Sequence, residues 1–181
     1  GKANFSRRSE ILGMSNPHSL SAADYDSDGD LDLFVCNYLA NSAAGGVSGS
    51  MAGVPLPFND AENGGRNALL RNDGRLQFSD VTRAAGIATG GDRWSFAASW
   101  EDYDNDGDQD LYVANDFGRN NLFRNDAGRF TDVAAAAGVE DISSGMSVAW
   151  SDANRDGRMD VYVSNMFSSA GGRVAFQRQF G

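Results

Sequence analysis

Three nine-residue stretches concentrate the side chains best able to do chemistry: "DYDSDGDLD" at 24–32, "DYDNDGDQD" at 102–110 and "DANRDGRMD" at 152–160. The first two place aspartate at every alternate position, and all three place glycine sixth, as Gly29, Gly107 and Gly157. Alternation on a tight curve turns positions one, three and five inward, and the glycine permits the turn. Position seven can then offer its backbone carbonyl, and a carboxylate at position nine closes a shell of oxygens. A hard cation takes such a shell, and calcium, with ~6–8 oxygen ligands at ~2.3–2.6 Å, suits it.

The pattern therefore predicts three calcium ions. In the first loop the side-chain ligands are Asp24, Asp26, Asp28 and Asp32, with the carbonyl of Asp30. In the second they are Asp102, Asp104, Asp106 and Asp110, with the carbonyl of Asp108. The third uses Asp152, Asn154, Asp156 and Asp160, with the carbonyl of Arg158. Asn154 gives oxygen without charge, and Arg155 and Arg158 lie alongside, so this site should be the weakest. The side chains of Asp30 and Asp108 should face outward, adding field rather than coordination. Without metal, the converging carboxylates repel one another and destabilise the fold.

The elements that hold these loops read as strands. "DLFVCN", "DLYVAN" and "DVYVSN" follow the loops, rich in β-branched and aromatic residues. "SFAASW" and "GMSVAW" precede the second and third loops, placing Trp100 and Trp150 two residues before the first aspartate. "ALLRN" and "NLFRN" give a further strand, turned by "DG" or "DAG" into "LQFSD" and "RFTDV". The pieces "TRAAG" and "AAAAG" are too short for a free helix and should form one turn ending at glycine. A helix-loop-helix calcium hand needs a bidentate Glu at position twelve. Here that position is Val35, Val113 or Val163, inside an apolar run, so that class is excluded. Paired calcium-loop docking modules, which also need a following helix, fail likewise.

The words recur. Phe78 to Gly86 and Phe130 to Gly138 share spacing and nearly share sequence, and Phe5 to Gly13 keeps the spacing with weaker similarity. The second and third loops begin 50 residues apart and the first and second 78 apart. The difference is an insertion at 41–65, rich in Gly, Ser and Ala, which reads as a surface excursion. The expected organisation is one repeat domain over 1–181: a partial repeat end at 1–21, a repeat at 22–90 carrying the insertion, a repeat at 91–141, and a partial repeat at 142–181. A lone sheet-rich unit of roughly fifty residues cannot bury its apolar face, so neighbours must stack.

Composition agrees with a single globular domain: 181 residues, 41% hydrophobic, with 25 acidic and 15 basic side chains for a formal charge of −10. Thirteen acids lie in the three loops, and three divalent ions would bring the charge to −4. A localised negative surface argues against nucleic acid, whose phosphates need a basic partner. No window reaches the ~18 apolar residues of a spanning helix. The one cysteine, Cys36, sits in an alternating run and reads as a small buried residue.

The words "WEDYDNDGDQDLYVAND", "NLFRNDAGRFTDV" and "AAGVE" resemble the FG-GAP/VCBS repeats of integrin-α-like β-propellers. Within that family they look most like the secreted proteins related to cartilage acidic protein. The resemblance covers the chain from about Ala22, excepting the insertion. It implies an all-β fold of four-stranded propeller-type blades, with a calcium ion in the loop joining two strands of a blade. Propellers of this kind usually have seven blades, so two complete units and parts of others imply an incomplete propeller, or an array completed between subunits.

The function expected is an extracellular, secreted, calcium-binding structural or adhesive repeat protein, able to self-associate head to tail into filaments. Its loops, above all 41–65, would contact protein or glycan partners. The alternatives are a carbohydrate-facing accessory or catalytic domain and a piece of a larger propeller. No catalytic constellation is visible, although Glu62, Asp92, Glu140 and Asp141 lie outside the loops. His18, the only histidine, reads as a loop residue, and Trp100 and Trp150 as packing between blades rather than as a carbohydrate-stacking surface with Trp94. Asn67 and Asn121, which recur before a strand, should bond backbone. Asn4 opens a glycosylation triplet, "NFS".

Overall fold

The computed structural model of the chain describes residues 16–39, 54–88 and 92–166. The first aspartate loop closes a hairpin between β1 (Pro17–Ala23) and β2 (Asp32–Asn37). β3 (Ala68–Asn72) pairs with β2, and β4 (Phe78–Asp80) with β3, giving a four-stranded antiparallel meander. The second loop repeats the plan between β5 (Trp94–Glu101) and β6 (Asp110–Asp116). Past the two-residue β7 (Gly118–Arg119), β8 (Asn121–Asn125) and β9 (Phe130–Asp132) complete a sheet ordered β5-β6-β8-β9. One helical turn, α1 (Ala134–Ala137), ends on Gly138 at φ 72°, the left-handed conformation that glycine adopts without steric cost. β10 (Ile142–Ser143) pairs with β7, and the third loop closes a hairpin between β11 (Gly145–Ser151) and β12 (Asp160–Asn165). The fold is all-β, with several antiparallel sheets and none closed among the described residues.

The repeat survives in the register. Ala22 opposes Leu33, Trp100 opposes Leu111 and Trp150 opposes Val161. A one-residue irregularity falls at the same place in each hairpin, at His18, Phe96 and Met146. Bulges that recur at one repeat position are built features, since each increases the local twist. His18 accordingly lies inside β1 and not in a loop, stacked on Tyr38 at 4.5 Å between ring centroids.

The three sheets stack in chain order. Phe34, Cys36 and Leu69 of the first meet Leu111, Val113 and Phe123 of the second, with Trp100 packed against them. The opposite face of the second sheet, Tyr112 and Leu122 with Ala134, takes Val148, Trp150, Val161 and Val163 of the third. Trp100 and Trp150 therefore pack between sheets, as the sequence predicted, and Trp94 is buried instead of forming a stacking surface. Cys36 is fully buried, which pushes its thiol up to about 12.

The described half of the insertion departs from a surface excursion. Ala61 is fully buried and donates its N–H to the Phe117 carbonyl at 2.7 Å. A Cβ on Gly64 would stand 2.3 Å from the Arg93 carbonyl oxygen, and one on Gly65 2.6 Å from that of Asn37. Only glycine permits this backbone approach. Arg93 then pairs with Asp60 at 2.8 Å, and Arg119 bridges Asp60 and Glu140 at 3.0 and 2.7 Å. Burial alone raises the Asp60 carboxyl, but the hydrogen bonds and charges of these two arginines outweigh it and hold the group below its ordinary range. Residues 54–65 are thus a strap pinned where β2 ends, β5 begins and β6 ends, joining the first two sheets. The rest of the insertion, the segment from Phe5 to Gly13 and Asn4 lie outside the described residues.

Candidate metal centres

Each loop is shaped by its own first aspartate. In the first, Asp24 Oδ1 accepts the Asp28 amide at 3.0 Å and Oδ2 the Gly29 amide at 2.9 Å. In the second, Asp102 accepts from Asp106 and Gly107, both at 3.0 Å. In the third, Asp152 accepts from Asp156 and Gly157, also at 3.0 Å. Position five repeats the device one step on, since Asp28, Asp106 and Asp156 each accept the amide of position seven at 2.9 Å. Such Asx turns compete well with strand geometry and fold the segment locally. Position four is left-handed as well as the glycine at six: Ser27, Asn105 and Arg155 have φ of 59°, 61° and 64°. The sequence pointed to the glycine alone.

The folded loops bring positions one, three and five together. Carboxylate oxygens of Asp24, Asp26 and Asp28 all lie within 4.8 Å of one another, and so do those of Asp102, Asp104 and Asp106. Two oxygens on one calcium ion can stand no further apart than twice the bond length, about 4.6–5.2 Å. Both trios meet that limit. The Oδ1 atom of Asp26 is buried with no hydrogen-bond partner among the described residues, an orphan acceptor that a cation would satisfy. Burial, then the neighbouring acids, raise the Asp26 carboxyl above its ordinary value, and Asp104 is raised in the same way. The donor set is all oxygen, and it fits calcium.

In the third loop Asn154 holds position three. Its Oδ1 accepts the Asp156 amide at 2.8 Å, and its Nδ2 donates to Asp156 Oδ2 at 3.1 Å. An N–H therefore points where the other loops offer only oxygen. Arg155 and Arg158 are exposed beside it.

Position nine stands apart from the trios. Asp32 is fully buried, accepting from Asn72 at 2.8 Å through Oδ1 and from Tyr25 at 3.2 Å through Oδ2. Asp110 does the same with Asn125 at 2.7 Å and Tyr103 at 3.0 Å, and burial, its largest influence, raises its carboxyl to about 6. Each of these oxygens keeps a second lone pair for an ion. Asp160 is exposed and accepts one amide, from Ala153 at 3.0 Å.

Asp108 does more than add field, because its Oδ2 accepts the Ala127 amide of the β8–β9 turn at 2.8 Å. Asp30 lies beside the equivalent β3–β4 turn, with its Oδ2 3.7 Å from the site of a Cβ on Gly74. Both are exposed or half-buried, so Asp108→Ala should cost only about 1 kcal/mol in urea unfolding, the worth of one such bond.

Sequence reasoning passed over Asn72 and Asn125. Each donates its amide to the position-nine carboxylate, and its own Oδ1 accepts from Gly74 or Gly128 in the following turn. Asn125 Nδ2 also donates to the Tyr25 carbonyl at 2.8 Å, tying the second sheet to the first loop. The signal was present in the repeated ending of "LLRN" and "LFRN". Asn67 does accept backbone, from the Asn37 amide at 2.9 Å, whereas Asn121 bonds the side chains of Asn115 and Asp132.

Of the acids outside the loops, Glu62 and Glu140 are engaged by Arg93 and Arg119, and Asp141 accepts from Ser143 and Asn165. Asp92, raised chiefly by burial, lines a small cleft with Arg66 and Arg83. No helix among the described residues is long and apolar enough to cross a membrane.

No curated protein matches the chain. Its second loop, the β8–β9 hairpin and the third hairpin through Val163 form one continuous match, so that residues 102–163 are an FG-GAP-like repeat.

Proposed function

We propose that the protein is an extracellular, calcium-binding structural and adhesive repeat module, whose four-stranded sheets are propeller-type blades of the kind found in cartilage-acidic-protein-like proteins. One observation carries this reading. The same amide-to-carboxylate pattern recurs in three loops, and in two of them it gathers three carboxylates within calcium-sharing distance. Asp24, Asp26 and Asp28 would hold one ion and Asp102, Asp104 and Asp106 a second. Asp32 and Asp110 would close those shells, with the carbonyls of Asp30 and Asp108. Asp152, Asn154, Asp156 and Asp160, with the carbonyl of Arg158, form the weaker third site.

Calcium, when bound, supplies the positive charge that lets these acids stay ionised side by side. The chain does the rest: the position-one carboxylate shapes the loop, and position nine fastens it to the third strand of its sheet. Shallow, exposed sites of this sort suit extracellular modules, which bind calcium at ~10⁻⁴–10⁻³ M.

The test is calcium titration by calorimetry together with metal analysis of the dialysed protein. We expect three ions per chain, the last bound at least about tenfold more weakly, since it lacks one charge. A stoichiometry below two would sink the proposal.

A further inference from the structure

We infer that the first loop's affinity for calcium depends on whether the second loop is filled, and that the β8–β9 turn, residues 125–128, carries the dependence. The inference rests on the calcium reading of both loops. It grows from hydrogen bonds that cross between them. Three groups of the second loop hold the turn. Asp110 Oδ1 accepts the Asn125 amide at 2.7 Å, the Gln109 carbonyl accepts from Asn125 Nδ2 at 3.1 Å, and Asp108 Oδ2 accepts the Ala127 amide at 2.8 Å. Inside the turn, Asn125 Oδ1 accepts the Gly128 amide at 2.7 Å. The turn thus takes its shape from the loop that an ion would order.

The other side of the same turn lies on the first loop. Asn125 Nδ2 donates to the Tyr25 carbonyl at 2.8 Å, and the Tyr25 amide donates to Asp32 Oδ2 at 3.2 Å. The position-nine carboxylates of the two loops, Asp110 and Asp32, are joined in this way through two residues. A Cβ on Gly128 would stand 3.8 Å from Tyr25 Cε2 and 3.9 Å from the Cβ of Asp26, so the turn also backs the position-three aspartate. Asn125 is fully buried and Tyr25 nearly so, which keeps water from competing for these bonds.

Beyond the turn, the Phe130 amide and Arg129 Nη1 donate to the Ala85 and Ala84 carbonyls at 2.7 and 2.8 Å. These bonds fasten β9 to the first sheet whatever the second loop does. The freedom that an ion in the second loop can remove is therefore confined to 125–128. Asn72, the counterpart of Asn125 in β3, directs its Nδ2 to the Leu31 carbonyl within its own sheet. An ion that orders the second loop orders the turn, and the first loop then meets calcium with Tyr25 and Asp26 already held. Binding to an already ordered site loses less conformational entropy, which is positive coupling without a large change of shape. Such coupling is reciprocal and typically changes affinity about 5–150-fold.

The test uses the full chain carrying Asp26→Ala, which disables the first site but keeps the Cβ beside Gly128, and reads amide exchange by NMR as calcium is added. Filling the second loop should protect the Asp106 and Gly107 amides and slow exchange of the Tyr25 amide at least about fivefold. Adding Asp104→Ala, which empties the second site too, or Asn125→Ala, which cuts the link, should abolish the Tyr25 effect. Protection of Asp106 and Gly107 with Tyr25 unchanged overturns the coupling and leaves the calcium reading standing, whereas no protection in either loop overturns both. Tyr25 protection that persists with Asp104→Ala or Asn125→Ala also overturns the coupling. Should Asn125→Ala not fold, calorimetry decides. Asp104→Ala alone must then weaken binding at the first loop at least about fivefold, and an affinity equal to that of the unaltered chain overturns the inference.

Discussion

Excess chelator is expected to lower the thermal midpoint of the calcium-loaded protein by about 10–20 °C. Each site held at ~100 times its dissociation constant adds ~2.7 kcal/mol to the native state, so the two full trios contribute about 5 kcal/mol. For a chain of this length, 1 kcal/mol moves the midpoint by ~2–4 °C. The mechanism is electrostatic. Asp24, Asp26 and Asp28 crowd within 4.8 Å, and burial with the neighbouring acids outweighs the Arg71 charge at Asp26, whose Oδ1 has no hydrogen-bond partner among the described residues. Circular dichroism melts in calcium and in chelator measure the gap directly. Asp104→Ala should close about half of it, because it dismantles one trio and leaves the other. A midpoint indifferent to chelator would remove calcium from the account.

Much of this is legible in the sequence. Period-two alternation after each loop marked β2, β6 and β12, and the tryptophan spacing marked β5 and β11. Glycine at loop position six, and at the end of the alanine turn, encoded left-handed backbone that other residues adopt at a cost. The limits are equally physical. His18 reads as a loop residue because it follows Asn16 and Pro17 ahead of the strand pattern, whereas its place in β1 comes from pairing with β2 across a bulge. The strap at 54–65 looked solvent-facing because its composition is that of a loop. Its anchoring depends on Arg93 and Arg119, close in space and distant in sequence. Position nine reads simply as a ligand, since of its two amide donors one, Tyr103 for Asp110, comes from the start of the same loop and the other, Asn125, from the third strand of the sheet. Local chemistry shows in the sequence, whereas contacts between elements do not.

That double role of position nine gives the largest single-residue effect. In calcium, Asp110→Ala should destabilise the protein by about 3–5 kcal/mol. The change removes an ion ligand and strands the buried amide of Asn125 and the half-buried amide of Tyr103, at up to ~1–3 kcal/mol each. In chelator the loss should shrink to about 1–3 kcal/mol. Burial, which raises the Asp110 carboxyl to about 6, already penalises its charge there, and removing the charge relieves part of the strain. Asp160→Ala is the control at the same loop position. Asp160 is exposed and accepts a single amide, from Ala153, so its loss should cost under about 1 kcal/mol in either condition. Urea unfolding of both variants, with calcium and with chelator, separates the roles. An Asp110→Ala cost that vanishes in chelator would make the residue a ligand only, and one unchanged by chelator would make it a fold anchor only. Equal costs for the two variants would mean that neither burial nor the third-strand amide matters, and the geometry of the fully formed loops would then explain nothing.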